Sequence, residues 1–459
     1  MNKPQHFDIC IIGAGSAGLT MAAVSSNLGF KVALIEGHKM GGDCLNYGCV
    51  PSKALLAMAK QKEADFNKVK AAIQTAIETI EPNDSEERFE GMGVHVIKEY
   101  ASFLDKNTIQ AGAHTITAKR FIIATGSKAL IPSVPGIENI PFLTNETIFD
   151  LEPLPEKLII LGGGAIGVEM AFAFQKLGSQ VTLIERYKHI LPHSELEASQ
   201  HFKTTLKNIN VKILDNATTS CIKKENKGIS LELDGEKITG THILIATGRQ
   251  ANLEKLNLKN AGIDHTANSI TVDDTLRTNQ KHIYAIGDCS SKYLFTHNAS
   301  YEAGIVIKRM LFGMFWSKVK YNALPKVHYI DPELAEVGLT QEQAEKKYGK
   351  DNIRVIQVPF TENDRAVCDQ RTDGFIKAIL SPKGYVYGVT ILGNHAGELI
   401  TPWATLMTYN RKISDFSGVT APYPTYSEIH KKVASAFYKD AFYGKKVQRI
   451  SKILFRILG

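Results

Sequence analysis

Apolar, β-branched residues gather in short runs that end at glycines, and each run is followed by a helical stretch of small residues. FDICIIG (7–13) reads as a strand, GAGSAGLTMAAVSSNLG (13–29) as a close-packing helix, and KVALIE (31–36) as a second strand. Together they make a βαβ unit of about 30 residues. The same pattern returns at 157–185 as KLIILGGGAIGVEMAFAFQKLGSQVTLIE. In both copies the first glycine lies 23 positions before an acid, Gly13 before Glu36 and Gly162 before Glu185, so a whole supersecondary unit is repeated. Each unit is followed later by a strand ending in Ala-Thr-Gly, FIIATG (121–126) and ILIATG (243–248). Residues 50–80, rich in Ala, Lys and Gln, predict one long helix or a helical pair, and after Pro325 mixed strands and helices without a glycine fingerprint predict a third domain. The fold class expected is α/β: two Rossmann-like dinucleotide-binding domains followed by an α+β C-terminal domain.

Composition narrows the class. The 459 residues are 44% hydrophobic and 22% charged, an ordinary globular profile that excludes a disordered, collagen-like or disulfide-scaffold chain. No run of eighteen apolar residues predicts a spanning helix, and the N-terminus lacks the order of a signal peptide, so a cytoplasmic protein is expected. The formal charge is +7, and residues 431–459 hold eight Lys/Arg against the single acid Asp440, so the whole excess sits at that end. The rest is formally neutral, and nucleic acid is not an expected partner. In the tail, 441–459, Val447, Ile450, Leu454, Ile457 and Leu458 recur at helical spacing, with Lys445, Arg449, Lys452 and Arg456 on a neighbouring stripe. Such a basic amphipathic helix suits peripheral contact with an anionic membrane, a partner groove, or packing on its own dimer.

The glycines carry the first chemistry. Gly13, Gly15 and Gly18 fit G-x-G-x-x-G between a strand and a helix, where they allow a tight turn, approach of a pyrophosphate to the backbone, and close helix–strand packing. Glu36 is placed to accept hydrogen bonds from a ribose diol. Gly162, Gly164 and Gly167 with Glu185 form a second complete copy. Two dinucleotide sites point to hydride relay between cofactors. The carboxylate at Glu185 favours NAD(H) over NADP(H), a preference that the following Arg186 and Lys188 soften, leaving NADP(H) as the alternative. GGDCLNYGCVPSKALL sets Cys44 and Cys49 in one short loop, with Pro51 at an expected first helical position and Lys53 in the first turn. A helix N-terminus and a nearby ammonium both favour thiolate. Of six cysteines these two are the working pair; Cys10 and Cys289 are expected in the core, and Cys221 and Cys368 as bystanders. No resident metal is expected.

On GGDCLNYGCVPSK, both glycine fingerprints, both ATG strands, IYAIGDC (283–289), PKVHYIDPELAEVGLT (325–340) and GFIKAIL (374–380), the chain resembles the class I pyridine nucleotide–disulfide oxidoreductases. That group includes glutathione reductase, dihydrolipoamide dehydrogenase and mercuric reductase. The resemblance implies FAD at the first fingerprint, nicotinamide at the second, and a homodimer built through the C-terminal domain. Its division would be 1–148 with 278–322 for FAD, 149–277 for NAD(P), and 323–440 for dimerisation. Gly42, Thr125, Gly126, Asp288, Thr296 and Lys53 would serve the flavin, and Gly248 the second cofactor. Cys49 would be the sulfur next to the flavin, Cys44 the one that meets the acceptor, and Glu169 the partner of Lys53.

The C-terminal run departs from the family. Disulfide-specific members carry His-Pro-Thr-x-x-Glu, whereas this chain reads APYPTYSE, with Tyr423 in the place of the basic His while Thr425 and Glu428 are kept. A tyrosine of ordinary pKa (~10) is a poor base at neutral pH. His395, His430 and His297 are candidate substitutes, His395 foremost. A tyrosine there resembles the mercuric reductases, yet the chain ends FRILG without their terminal cysteine pair. The expected activity is a FAD-dependent NAD(P)H:disulfide oxidoreductase with an unidentified small-molecule or protein acceptor. The alternatives are a dihydrolipoamide dehydrogenase, an Hg(II) reductase, and a flavin-bound redox sensor or membrane-associated accessory protein.

Overall fold

A strand covered on both faces needs a continuous apolar run, and the first strand has one. In the computed structural model, which describes residues 3–233 and 235–458, Gln5–Ile12 lies inside a seven-stranded sheet. Val32–Ile35 and then His95–Ile97 pair parallel on one side of it, and His114–Ile123 on the other. Ile283–Ala285 adds a parallel partner to His114–Ile123, and Thr108–Ala111 and Ala101–Asp105 continue the sheet as an antiparallel meander. Alternate side chains divide between two cores. Ile9 and Ile11 pack with Ala17, Met21, Ala303 and Val306 of the helices Ser16–Asn27 and Thr296–Met310, whereas Cys10 and Ile12 pack with Phe103 and Phe121. The second fingerprint belongs to a four-stranded parallel sheet of Lys212–Leu214, Gln180–Ile184, Lys157–Leu161 and His242–Ile245, in that order.

The chain divides into two compact units, Met1–Leu191 with Lys203–Val319, and Pro192–Phe202 with Lys320–Gly459. Both dinucleotide-type sheets therefore lie in the first unit. The second is built on a five-stranded antiparallel sheet in the order Pro325–His328, Glu333–Gly338, Val386–Gly393, Phe375–Leu380, Arg354–Pro359. Segment Pro192–Phe202 joins it through charge. Lys377, 2% exposed, reaches Glu195 at 3.1 Å and Glu197 at 2.9 Å, the pairing that a buried ammonium requires. The region expected as one or two helices is a pair, Cys49–Lys60 and Phe66–Ile80. At the C-terminal end, helix Ile429–Tyr443 stops at Gly444 and a separate helix runs Lys445–Leu458. Among the described residues no helix is long and apolar enough to cross a membrane.

The glycine turns are steric requirements. A Cβ on Gly18 would stand 1.8 Å from the Gly13 carbonyl oxygen, and one on Gly167 stands equally close to that of Gly162. A Cβ on Gly15 meets nothing within 4 Å. Gly18→Ala is therefore expected to cost on the order of 1–3 kcal/mol of stability, since backbone must move to admit the methyl group. Gly15→Ala should cost well under that, and equal falls in thermal midpoint for the two variants would contradict the steric account.

Candidate active site

Cys44 and Cys49 lie where two helices meet. Gly42–Asn46 carries Cys44, and the next helix, Cys49–Lys60, begins at Cys49 itself. Pro51 is thus the third helical residue rather than the expected first, and Lys53 falls just beyond the first turn. Proline is still accommodated there, because the first N–H groups of a helix have no intrahelical acceptor. Both cysteines are thiols, Cys44 half-buried and Cys49 exposed. Cys49 Sγ lies 3.3 Å from Thr296 Oγ1 at the start of helix Thr296–Met310. The hydrogen bond from Cys44, the bond from Thr296 and the Lys53 ammonium hold Cys49 as thiolate, with its pKa pulled down to about 6 against the effect of burial. Cys44, the donor in that pair and desolvated as well, is pushed up and stays protonated. The two sulfurs are therefore unequal before any substrate arrives.

Lys53 is fixed in turn. Its Nζ donates to Glu169 Oε2 at 2.9 Å, and Glu169 is 5% exposed on helix Ala165–Leu177, which opens from the second fingerprint. A cavity of about 320 Å³ lies beside Cys44, lined also by Thr296, Leu19, Val50, Phe89 and Arg88. It has room for a small acceptor next to that sulfur.

The two glycine turns are built alike. Glu36 accepts from Ala14 N and His38 N, each at 2.7 Å; Glu185 accepts from Gly163 N at 2.6 Å and Tyr187 N at 2.8 Å. In both copies the donors follow the first glycine by one residue and the acid by two. Each carboxylate keeps lone pairs for a ribose diol. Gly15 and Gly164 leave open space before a helix N-terminus, and Gly42, at φ +60°, closes on Gly15 so tightly that a Cβ would stand 2.8 Å from its Cα. These open, amide-lined turns with a flanking acid fit dinucleotides. Arg186 stacks on Tyr187 with its guanidinium 4.7 Å from the ring centroid and donates to the hydroxyl at 2.8 Å.

Thr125, Gly126 and Gly248 follow the two ATG strands, with Thr125 Oγ1 donating to Asn252 O at 2.9 Å. Asp288 accepts from Ser127 Oγ at 2.6 Å, and burial raises its pKa. Between Asp288 and Asp43 stands Arg249, 3.8 Å from the first and 3.1 Å from the second, which also donates to Ser127 Oγ and O. Asn145 Nδ2 donates to Asp43 at 2.7 Å. Arg249, Asp43, Ser127 and Asn145 escaped sequence reasoning. The available signal was a charge directly after the second Ala-Thr-Gly.

Residues 7–303 match the pyridine nucleotide-disulphide oxidoreductase family, and residues 324–434 match its dimerisation domain. The chain belongs to this family. It is 31% identical to a mercuric reductase of Bacillus cereus over 95% of this chain and 72% of that one. It is 32% identical to a dihydrolipoyl dehydrogenase of Bacillus subtilis (strain 168) over 94% and 96%. Among solved structures, the HOCl-induced flavoprotein disulfide reductase RclA of Escherichia coli, as its Cu(II) complex, superposes with a TM-score of 0.87 at 29% identity, covering 93% of this chain and 99% of that one. The oxidoreductase is thus a FAD-dependent enzyme with NAD(P)H as electron donor, and its dimerisation domain supports a homodimer.

In the second unit of the oxidoreductase, Tyr423 is 70% exposed. Its hydroxyl donates to Asp364 Oδ2 at 3.1 Å, an acid not singled out beforehand, and this bond raises the phenol pKa further from neutrality. Glu428 is half-buried just before helix Ile429–Tyr443. His395 is exposed, its ring edge-on to Tyr426 at 5.3 Å, and His297 is exposed and stacked on Phe295. His430 is removed from the candidate bases. It is 5% exposed and accepts from Trp403 Nε1 at 2.9 Å, and burial pulls its pKa down to about 4. Cys10 and Cys289 are buried in the core, as expected, with Cys289 pushed up to about 12 by burial.

A histidine with a depressed pKa stabilises the fold above its unfolded value of ~6.5, and that stability is lost as pH falls through the folded value. For His430 the window runs from ~6.5 down to about 4. Acid unfolding of the second unit should therefore weaken in its pH dependence across this range in His430→Gln. An unchanged slope would show that His430 titrates freely in the native protein.

Proposed function

We propose that this oxidoreductase works through a Cys44–Cys49 pair that cycles between dithiol and disulfide, with Cys49 beside the flavin and Cys44 on the acceptor side. The observation that carries the reading is the setting of the pair: Cys49 Sγ lies 3.3 Å from Thr296 Oγ1, and Lys53, one turn on along the same helix, is held by Glu169 at 2.9 Å. Bound FAD would supply two-electron transfer between NAD(P)H and the disulfide. The residues named for it are Gly13, Gly15, Gly18, Glu36, Gly42, Thr125, Gly126, Asp288 and Thr296, within 1–148 and 278–322. Gly162, Gly164, Gly167, Glu185 and Gly248 would hold NAD(P) within 149–277, and 323–440 would dimerise.

The chain's own part is to hold charge and move sulfur. Lys53, fixed by Glu169, keeps a cation near Cys49 and so favours its thiolate. Cys44 attacks one sulfur of an acceptor disulfide, and the other leaves. Cys49 then attacks Cys44, closing the intramolecular disulfide and releasing the second acceptor sulfur. Two electrons reach the acceptor, and the protons of the dithiol, or solvent protons in their place, end on the two released thiols. In the homodimer the same reading assigns Tyr423 and Glu428 to the acceptor side of the pair. Because Tyr423 is a poor base, Cys44 must yield its proton without help from a histidine at that position. This supports an acceptor other than lipoamide or glutathione. The carboxylate of Glu185 supports NADH as the preferred donor, by repelling a 2′-phosphate. A place at the periphery of a membrane, through 441–459, belongs to the same reading and rests on the tail's amphipathic pattern.

Anaerobic reduction followed by alkylation and mass spectrometry tests the central step. Oxidised holoenzyme treated with NADH should gain two alkylated thiols, at Cys44 and Cys49, faster than with NADPH, and Cys49→Ser should gain none by that route. A gain located at other cysteines would sink the assignment. Tyr423→His should raise NADH-linked turnover of lipoamide by tenfold or more, in the range that a positioned base supplies; family-like lipoamide rates in the native enzyme would remove the argument from Tyr423.

A further inference from the structure

Soluble proteins rarely group large apolar side chains on the outside, and here two segments do so. The first is the turn after helix Thr296–Met310, where Phe312 is 57% exposed, Met314 39%, Phe315 72% and Trp316 75%. This turn is held in shape. Met314 N donates to Lys308 O at 2.9 Å, Ser317 N to Met314 O at 3.0 Å, and Arg309 Nη1 to Ser317 O at 2.9 Å. The aromatic tip is thus presented by a hydrogen-bonded frame. Residues 308–319 (KRMLFGMFWSKV) carry three cations and no acid, with Lys308 and Lys318 exposed on either side of the tip and Lys318 also paired with Asp274 at 2.7 Å.

The second segment is helix Lys445–Leu458. Ile450, Leu454 and Ile457 lie on one arc of it, 54%, 49% and 72% exposed, and Lys445, Arg449, Lys452 and Arg456 lie on the other. No acid occurs between 441 and 459. Fourteen residues of helix extend about 21 Å, short of the ~30 Å of a bilayer core, so this helix suits lying in an interface rather than spanning it. Both segments fall outside the residues matched by the family, which are 7–303 and 324–434. Neither therefore belongs to the matched dimerisation domain. A second copy of this chain also offers a poor counter-charge, because the chain without its C-terminal end is formally neutral.

We propose that helix Lys445–Leu458 and, separately, the aromatic turn 312–316 are each a contact for an anionic bilayer surface, the aliphatic and aromatic side chains entering the headgroup–acyl boundary and the cations meeting lipid phosphates. This deepens the peripheral reading of the tail, adding the turn and naming the lipid chemistry, and it is independent of the redox assignment.

The test uses the full-length, FAD-loaded protein with vesicles of equal parts phosphatidylcholine and phosphatidylglycerol, and with phosphatidylcholine alone. Co-sedimentation with the anionic vesicles and weaker binding to the neutral ones are expected. Phe315→Ser/Trp316→Ser and, separately, Ile450→Glu/Leu454→Glu should each weaken binding about tenfold or more. The chain has two tryptophans, and Trp403 is fully buried, so quenching by brominated acyl chains should come from Trp316 and vanish in Trp316→Phe. Absence of binding to both vesicle types overturns the proposal. Binding that the turn variant leaves unchanged, or tryptophan emission that brominated lipid does not quench, overturns the role of the turn. Lipid-free oligomers that the tail variant dissociates would replace the bilayer by a second copy. NADH-driven thiol formation at Cys44 and Cys49, measured on the same variants, should stay at the native level, so a failure of the relay reading registers there and not in vesicle binding.

Discussion

Glu169 sits 5% exposed within an otherwise apolar helix, and a carboxylate so placed needs a cation. The one it takes, Lys53, lies a turn beyond Cys49. This pair joins the helix that opens from the second glycine fingerprint to the helix that begins at a redox sulfur. It also places an ammonium near Cys49, where it adds to the hydrogen bonds from Cys44 and Thr296 in favouring thiolate. Removing either partner would take away this ion pair and loosen the link between the two helices.

Around this contact the scaffold repeats one solution twice. In each βαβ unit the third glycine presses against the carbonyl of the first, and the terminal acid is held by two backbone amides. A turn so restricted is preorganised, and little ordering remains to be done when a dinucleotide enters. The cluster of Arg249, Asp43, Asp288 and Ser127 has no counterpart in the repeat. It places a guanidinium between two acids, and burial raises the Asp288 pKa while the Ser127 hydrogen bond and Arg249 hold it down.

Much of this was legible along the chain, because the controlling patterns are local. Glycine spacing, the 23-residue interval to Glu36 and Glu185, and the separation of Cys44 from Cys49 are all short-range. What escaped was assembled from distant positions. Asp43, Ser127, Asn145 and Arg249 gather from separate parts of the chain around Asp288, the one member that the resemblance had named. Pro51 was read as the first helical residue because proline favours that position, but the helix starts earlier, at Cys49. His430 looked available as a base in sequence, and the core around Trp403 and Phe416 encloses it.

The sequence by itself determined the family, the two glycine turns and the location of the entire charge excess, since each is a matter of residue type and spacing. Tertiary structure alone decided which histidines are core, and that Phe312, Phe315 and Trp316 face outward rather than inward. Those properties follow from burial and from the fields of neighbours brought together by folding. An aromatic run reads the same in a core and on a surface until the chain is folded around it.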